Sequence, residues 1–179
     1  NTDYFVLRRE DPSFYRNNHV SNTYGVEVSQ TLYSQLGATV IGSEFALDTL
    51  TSSNLGQRER TRFSIFAEHQ WKPTDNVTIE IGATALWVRS TISSLSMPNA
   101  DSVVAVFNFS PGVNVSWQAS DNVSLRASVG QSFRAPTYTD WFYRDPSNIG
   151  NPNLVPEYAW TYELGGQCIL PLDKGLIQL

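Results

Sequence analysis

The sequence predicts an all-β chain: an antiparallel transmembrane β-barrel segment of about eight to nine strands. Three observations carry that prediction. Side chains alternate apolar and polar over stretches far longer than the roughly 5–6 residues of an average strand. The connections between those stretches are short and long by turns. The apolar content is spread through the chain and nowhere gathered into a run.

The longest alternation begins at Val103. Odd positions read Val103, Ala105, Phe107, Phe109, Pro111, Val113, Val115 and Trp117, while the even ones from Asn108 read Asn108, Ser110, Gly112, Asn114, Ser116 and Gln118. A period of two makes a strand with one apolar and one polar face. At roughly 3.3 Å per residue, about 15 residues reach about 50 Å, enough to cross a bilayer at a tilt and project beyond it.

Other segments repeat the pattern in chain order. Val26, Val28 and Leu32 oppose Glu27, Ser29 and Thr31. The stretch Leu36 to Leu50 is less regular, with a phase slip near Ile41 that suggests a bulge. Phe63, Ile65, Ala67 and Trp71 oppose Arg62, Ser64, Glu68 and Gln70. Val77, Ile79, Ile81, Ala83, Ala85 and Trp87 oppose Thr78, Glu80, Gly82 and Thr84. Val123, Leu125, Ala127 and Val129 oppose Ser124, Arg126, Ser128 and Gly130. Trp160, Tyr162, Leu164, Gly166, Cys168 and Leu170 oppose Thr161, Glu163 and Gln167. This makes eight strands and the start of a ninth.

Turn chemistry marks the tight connections at Gln35-Leu36-Gly37, Thr74-Asp75-Asn76, Ser120-Asp121-Asn122 and Asp173-Lys174-Gly175. Longer ones are expected at Asp11–Thr23, Ser52–Glu59, Ser93–Asp101 and Ala135–Glu157. Tight turns on one side and long loops on the other are the asymmetry of outer-membrane barrels. A small repeat supports it: Trp71-Lys-Pro-Thr-Asp-Asn-Val77 matches Trp117-Gln-Ala-Ser-Asp-Asn-Val123. Each Trp precedes a tight turn, where an aromatic girdle meets the headgroups.

Composition narrows the function. A mean hydropathy of −0.26 and the absence of any apolar run of about 18 residues rule out a transmembrane helix but not a barrel. Twelve basic against seventeen acidic residues, net charge −5, give no basic stripe for nucleic acid. One cysteine, Cys168, and two separated histidines, His19 and His69, supply neither an internal disulfide nor a metal cage, and no cofactor is expected. No Gly-x-Ser-x-Gly elbow is present, and the chain reads as no enzyme. The four Asn-x-Ser/Thr triplets at Asn76, Asn108, Asn114 and Asn122 follow from alternation itself, which spaces polar residues two apart.

The segment Ala135–Glu157 is the chemically richest. Tyr138, Trp141, Phe142, Tyr143 and Arg144 crowd together, followed by Asp145, Asn148 and Asn151. Rigid rings with a guanidinium suit a binding surface, so Tyr138, Trp141, Phe142, Tyr143, Arg144 and Asn148 are candidate ligand contacts; the other reading is that the rings pack the loop on itself. Arg126, Arg134, Glu157 and Glu163 fall on the polar face of their strands. In a wide barrel that face borders a filled lumen where ionic residues need partners; otherwise they are solvated wall residues.

Three ordered stretches, Ser132-Phe-Arg-Ala-Pro-Thr-Tyr-Thr-Asp-Trp-Phe-Tyr143, Ile149-Gly-Asn-Pro-Asn-Leu-Val-Pro-Glu157 and Tyr162-Glu-Leu-Gly165, resemble a hallmark of TonB-dependent receptors, with Ser53-Asn-Leu-Gly56 and Arg62 to Glu68 consistent with it. Within that family the chain looks most like the cobalamin receptor branch, particularly the versions in Bacteroidetes-type bacteria. The resemblance implies a barrel of about twenty-two strands around a plug, in the bacterial outer membrane, with residues 1–179 a partial barrel domain lacking the plug and the C-terminal strands. It implies active transport of a scarce nutrient, a cobalamin or related corrinoid first and an iron siderophore or haem second, with oligosaccharides after these. The implied partners are outer-membrane lipid, the nutrient, TonB acting through the plug, and a surface lipoprotein. Two other classes compete: a small eight-stranded adhesin or structural barrel, against which the long Ala135–Glu157 loop and the missing terminal aromatic strand argue, and a soluble β-sandwich, which the strand length disfavours.

Overall fold

The computed structural model describes residues 2–6, 9–11, 13, 16–53, 55–92, 102–142, 149–151, 153–172 and 175–178. Its strands are β1 (Thr2–Val6), β2 (Arg16–Ser34), β3 (Gly37–Ser52), β4 (Gly56–Thr74), β5 (Val77–Ile92), β6 (Ser102–Ser120), β7 (Val123–Arg134), β8 (Glu157–Leu172) and β9 (Gly175–Gln178), with one short helix, α1 (Tyr138–Phe142), between β7 and β8. They form one sheet in sequence order, every neighbouring pair antiparallel. Three strands run 19 residues, the length that sustained alternation foretold.

Register carries the alternation from strand to strand. A slip of one residue would flip a whole strand's apolar set to the other face, and the two shifts that occur are confined to the strand ends beside tight turns. Val26 pairs with Phe45, Phe45 with Phe63, Phe63 with Trp87 and Trp87 with Phe107. That row crosses five strands on one face, its rings in contact at 5.7 Å (Phe63–Trp87) and 5.1 Å (Trp87–Phe107) between centroids. Among the described residues no second layer covers this face: Phe45, Phe63, Trp87, Phe107 and Phe109 remain 40% to 53% exposed, while Ser64, Ser90 and Asn108 on the opposite face are buried. The arrangement inverts that of a soluble sandwich, whose apolar faces meet each other. It fits a wall with lipid outside and a crowded polar interior.

The phase slip expected at Ile41 is absent. Pairing of β3 runs unbroken from Gly37 to Ser52 on both sides. The irregularity belongs to the other face: Gly42 sits opposite Phe66, whose ring lies over the glycine where a side chain would otherwise stand. An aromatic ring covering a cross-strand glycine is a known way of stiffening a sheet, and here it puts an apolar group on the polar face.

Two expected long connections are shorter than the alternation suggests. β2 already begins at Arg16, within Asp11–Thr23, and only residues 53–55 separate β3 from β4. Hydropathy alternates only where one face meets an apolar medium. Arg58-Glu59-Arg60-Thr61-Arg62 is polar on both faces and still makes a full ladder. The expected loop at Ser93–Asp101 and the turn residues Asp173 and Lys174 lie outside the described residues, apart from the strand ends that flank them.

The tight turns at the other end appear as expected at residues 35–36, 75–76 and 121–122. Gly37 takes a φ of 135°, and a Cβ there would collide with the Gln70 carbonyl oxygen, so glycine is required on both counts. The sequence repeat becomes a structural one. A register shift follows Trp71, between Trp71 and Thr74, and another follows Trp117, between Gln118 and Ser120. In each turn the Asn carbonyl accepts from the next strand but one, Asn76 from Gln118 N (2.8 Å) and Asn122 from Ile169 N (2.8 Å). Among the described residues no non-glycine has positive φ, so these Asp-Asn hairpins are not the mirror-image type that matches strand twist. The bulge beside each turn supplies the extra twist instead.

Candidate functional site

Pairing between β6 and β7 stops at Gly112–Gly130. Beyond it, Ser102–Pro111 pairs with β5 alone and Gln131–Arg134 with β8 alone. Pro111 has no N–H to give a ladder, and Pro136 repeats the defect just after β7. Freed from β6, the chain turns at Ala135-Pro136 and forms α1 over the polar face, at the end of the sheet opposite the tight turns.

Local sequence builds α1. Thr137 Oγ1 accepts from the Asp140 backbone N–H (3.1 Å), and Asp140 Oδ2 accepts from the Thr137 N–H (2.8 Å). This reciprocal bracket satisfies donors that a helix start leaves open. The Thr137 N–H also holds the Asp140 carboxyl below the usual carboxylate range, with Arg134 adding to the effect.

The return segment then locks on. Arg134 meets Glu157 with two parallel hydrogen bonds, Nε to Oε2 (3.0 Å) and Nη2 to Oε1 (2.9 Å), and its Nη1 reaches Asp140 Oδ2 (3.1 Å). Trp141 Nε1 donates to the Leu154 carbonyl (3.1 Å), and Asn151 N donates to the Asp140 carbonyl (2.9 Å). Gly150 lies so close to the backbone of Trp141 and Phe142 that a Cβ would stand 2.7 Å from it. The Phe-Arg-Ala-Pro and Gly-Asn-Pro-x-Leu-x-Pro-Glu stretches are thus two halves of one self-bracing loop.

The rings of α1 rest on cations of β4. Arg60 Cζ lies 5.0 Å from the Tyr138 ring centroid and 5.6 Å from that of Trp141, and Arg58 Cζ lies 4.9 Å from that of Phe142. Guanidinium over an aromatic face is a favourable electrostatic contact. Arg60 also donates from Nε to Ser90 Oγ (3.0 Å) and from Nη2 to the Pro136 carbonyl (2.7 Å). Arg62, next along that face, pairs with Asp48 (3.0 Å). Burial pushes the Tyr138 hydroxyl, which sits beside Ser90, above its ordinary pKa.

The expectation of an open aromatic surface therefore needs correcting at one residue. Trp141 is 3% exposed and anchors the loop; Tyr138 and Phe142 are half-buried beside it. Tyr143, Arg144, Asp145 and Asn148 lie outside the described residues. The cations that sequence reasoning missed are Arg58 and Arg60. Their signal was the spacing of Arg58, Arg60 and Arg62, which places three guanidiniums on one strand face.

Arg126, Arg134, Glu157 and Glu163 all share the polar face, since Arg126 pairs with Gly165, Ser128 with Glu163 and Arg134 with Glu157. Arg126 lies over Gly165, whose Cβ would stand 2.7 Å from Nε. Glu163 belongs to a row crossing five strands, Gln70–Glu80–Asn114–Ser128–Glu163, with hydrogen bonds from Gln70 Nε2 to Glu80 Oε1 (3.1 Å) and from Ser128 Oγ to Glu163 Oε2 (3.5 Å). Among the described residues no three His, Cys, Asp or Glu side chains come together as metal ligands; His69 Nδ1 instead pairs with Thr39 Oγ1 at 2.8 Å.

A family profile described as "TonB dependent receptor-like, beta-barrel" matches residues 1–179. Among curated proteins, the chain is 46% identical over 52 residues to the vitamin B12 transporter BtuB of Vibrio vulnificus, covering 29% of this chain and 8% of that protein. It is 36% identical over 63 residues to BtuB of Photobacterium profundum, covering 32% and 10%. The matched stretches thus span a tenth or less of those relatives. Among solved structures, the fold is similar to the copper transporter OprC (TM-score 0.74, 16% identity, 86% of this chain and 28% of that one). It is also similar to the Serratia marcescens hemophore receptor HasR, solved with its hemophore HasA and heme (TM-score 0.74, 18% identity, 92% and 33%). The ferric citrate transporter FecA follows (TM-score 0.60, 18% identity, 86% and 25%). At such identities these likenesses concern the fold alone.

Proposed function

The chain belongs to the TonB-dependent receptor-like β-barrel family, and from that premise we propose that it is a wall section of a receptor that binds a corrinoid outside the cell and imports it with energy delivered through TonB. Its place is the outer membrane of a Gram-negative bacterium, and the family consists of transporters and not enzymes. The apolar face meets lipid and the polar face lines the lumen. The end with tight turns is periplasmic, and α1 stands at the outer mouth.

The observation that carries the reading is the loop braced across that mouth. It holds Tyr138 and Phe142 over the lumen, and Tyr143, Arg144 and Asn148 are the further side chains of this segment that the reading assigns to the ligand. Trp141 fixes the loop and the neighbouring rings meet the ligand. Arg126 and Glu163 lower down the wall face the plug, which the whole receptor carries upstream and through which TonB acts; a surface lipoprotein is a further partner. No bond of the nutrient is made or broken. The corrinoid assignment is supported by the two vitamin B12 transporters among the curated relatives. The runner-up is a ferric siderophore or haem, supported by the fold neighbours FecA and HasR.

The test is equilibrium binding of cyanocobalamin to the full receptor, followed by uptake with and without TonB. Binding, together with TonB-dependent uptake that ferric siderophores do not compete for, is the expected result. A receptor that ignores cyanocobalamin but binds a ferric siderophore or haem overturns the corrinoid assignment and leaves the family intact.

A further inference from the structure

On the lipid-facing side, two aromatic levels mark the edges of the apolar band. Trp117 pairs with Val77 near the periplasmic turns, and Phe63, Trp87 and Phe107 form the row near the other end. Val77 and Trp87 are about ten residues apart on β5, roughly 33 Å along the strand, and a tilt of about 40° projects this to about 25 Å, the usual height of the band. On β5, between Val77 and Trp87, the outward residues are Ile79, Ile81, Ala83 and Ala85.

The first outward position beyond Trp87 is Arg89, exposed and paired across the strands with Thr61 and Ala105. Together with Thr61, Phe63, Trp87, Ala105 and Phe107 it lines a shallow outward groove of about 420 Å³. A cation at this height stands where acyl chains give way to headgroups, and it faces lipid, away from the ligand and the plug. We propose that Arg89 and this groove bind the phosphate-bearing headgroup of an outer-leaflet glycolipid, the Phe63, Trp87 and Phe107 rings lying along its acyl chains. The guanidinium supplies donors matched to phosphate oxygens. Thr61 offers a hydroxyl on the neighbouring strand. The inference rests on the orientation above and not on the nutrient, so lipid retention and nutrient binding succeed or fail separately.

The experiment titrates the detergent-solubilised full receptor with lipid A and with dephosphorylated lipid A, reading retained lipid by native mass spectrometry. The intact receptor should retain lipid A several-fold better than the dephosphorylated form. Arg89→Ala should lower retention of lipid A about fivefold, the factor for one basic residue at an anionic surface, and leave the dephosphorylated form unaffected; Arg89→Lys should recover most of it. Should Arg89→Ala lose the heat-modifiable mobility of a folded barrel, Ala105→Glu sets a carboxylate opposite the guanidinium and should have the same effect. Equal retention of both lipids by the intact receptor, or of lipid A by the intact receptor and a folded variant, overturns the proposal.

Discussion

Replacing Trp141 by Ala should release the β7–β8 loop from the mouth and leave the barrel standing. The indole is 3% exposed, donates to the Leu154 carbonyl at 3.1 Å, touches Phe142 at 5.9 Å between centroids and lies 5.6 Å from the Arg60 guanidinium. Truncating a well-packed Trp costs about 3–5 kcal/mol, and the stranded carbonyl adds about 1 kcal/mol. The loop is anchored also by Arg134–Glu157 and by Gly150 against α1, so the lower figure is the fair one. About 3 kcal/mol is more than a hundredfold in the opening equilibrium, since about 1.4 kcal/mol is tenfold. Hydrogen exchange of the full receptor reads it directly. Amides of Trp141, Asn151 and Leu154, whose backbone bonds close the loop, should lose protection by that factor while β4 and β5 amides keep theirs. Trp141→Phe keeps most of the burial and loses only the donor, so it should open the loop by about tenfold. Unchanged protection in Trp141→Ala would refute the anchoring role, and loss of the folded barrel's gel mobility would refute the separation of loop from wall.

Three further perturbations test other parts of the reading. Ala83→Arg, in the middle of the lipid band, should destabilise the barrel by about 2–4 kcal/mol in urea unfolding from vesicles, whereas Thr84→Arg on the lumen face should be nearly neutral; equal costs would cancel the face assignment. Gly37→Ala combines a φ of 135° with a collision against the Gln70 carbonyl, so it should cost at least about 1–3 kcal/mol in the same assay. Asp140 is held below the ordinary carboxylate pKa in the folded loop, so its bracket stabilises the loop fully at neutral pH. That support disappears only as pH falls through the lowered value, under about 4. Loop protection should therefore be flat down to that range and drop below it, and Asp140→Asn should flatten the drop.

Most of the wall was legible because its physics is local. Period-two alternation reports directly which side chains meet lipid, and the Trp-x-x-x-Asp-Asn-Val repeat foretold two equivalent hairpins. The failures have equally definite causes. Arg58 to Arg62 are polar on both faces of β4, so they carry no hydropathy signal and resemble loop. At Ile41 a real strand looks broken because Gly42 makes room for Phe66, a partner on another strand. The candidate site was half legible: the aromatic cluster was evident, but its cations were not. Arg60 and Pro136 meet across 76 residues, and nothing in the spacing of either segment names the other.

The two prolines join these observations into one account of the mouth. Had β7 continued straight from Arg134, its next residues would have paired with the outer half of β6, extending the wall and carrying Trp141 outward, since it shares the parity of Phe133. Pro111 lacks the N–H that a ladder along that seam would use, and Pro136 lacks one just beyond β7. The chain instead bends inward, where Asp140 can bracket Thr137 and Arg134 can grip Glu157, and where Arg58 and Arg60 wait on the facing wall. The loop's aromatic residues thus divide by duty. Trp141, turned to the backbone of its own return segment, determines where the loop stands. Tyr138 and Phe142, stacked on β4 cations, are the rings of α1 that stay partly open.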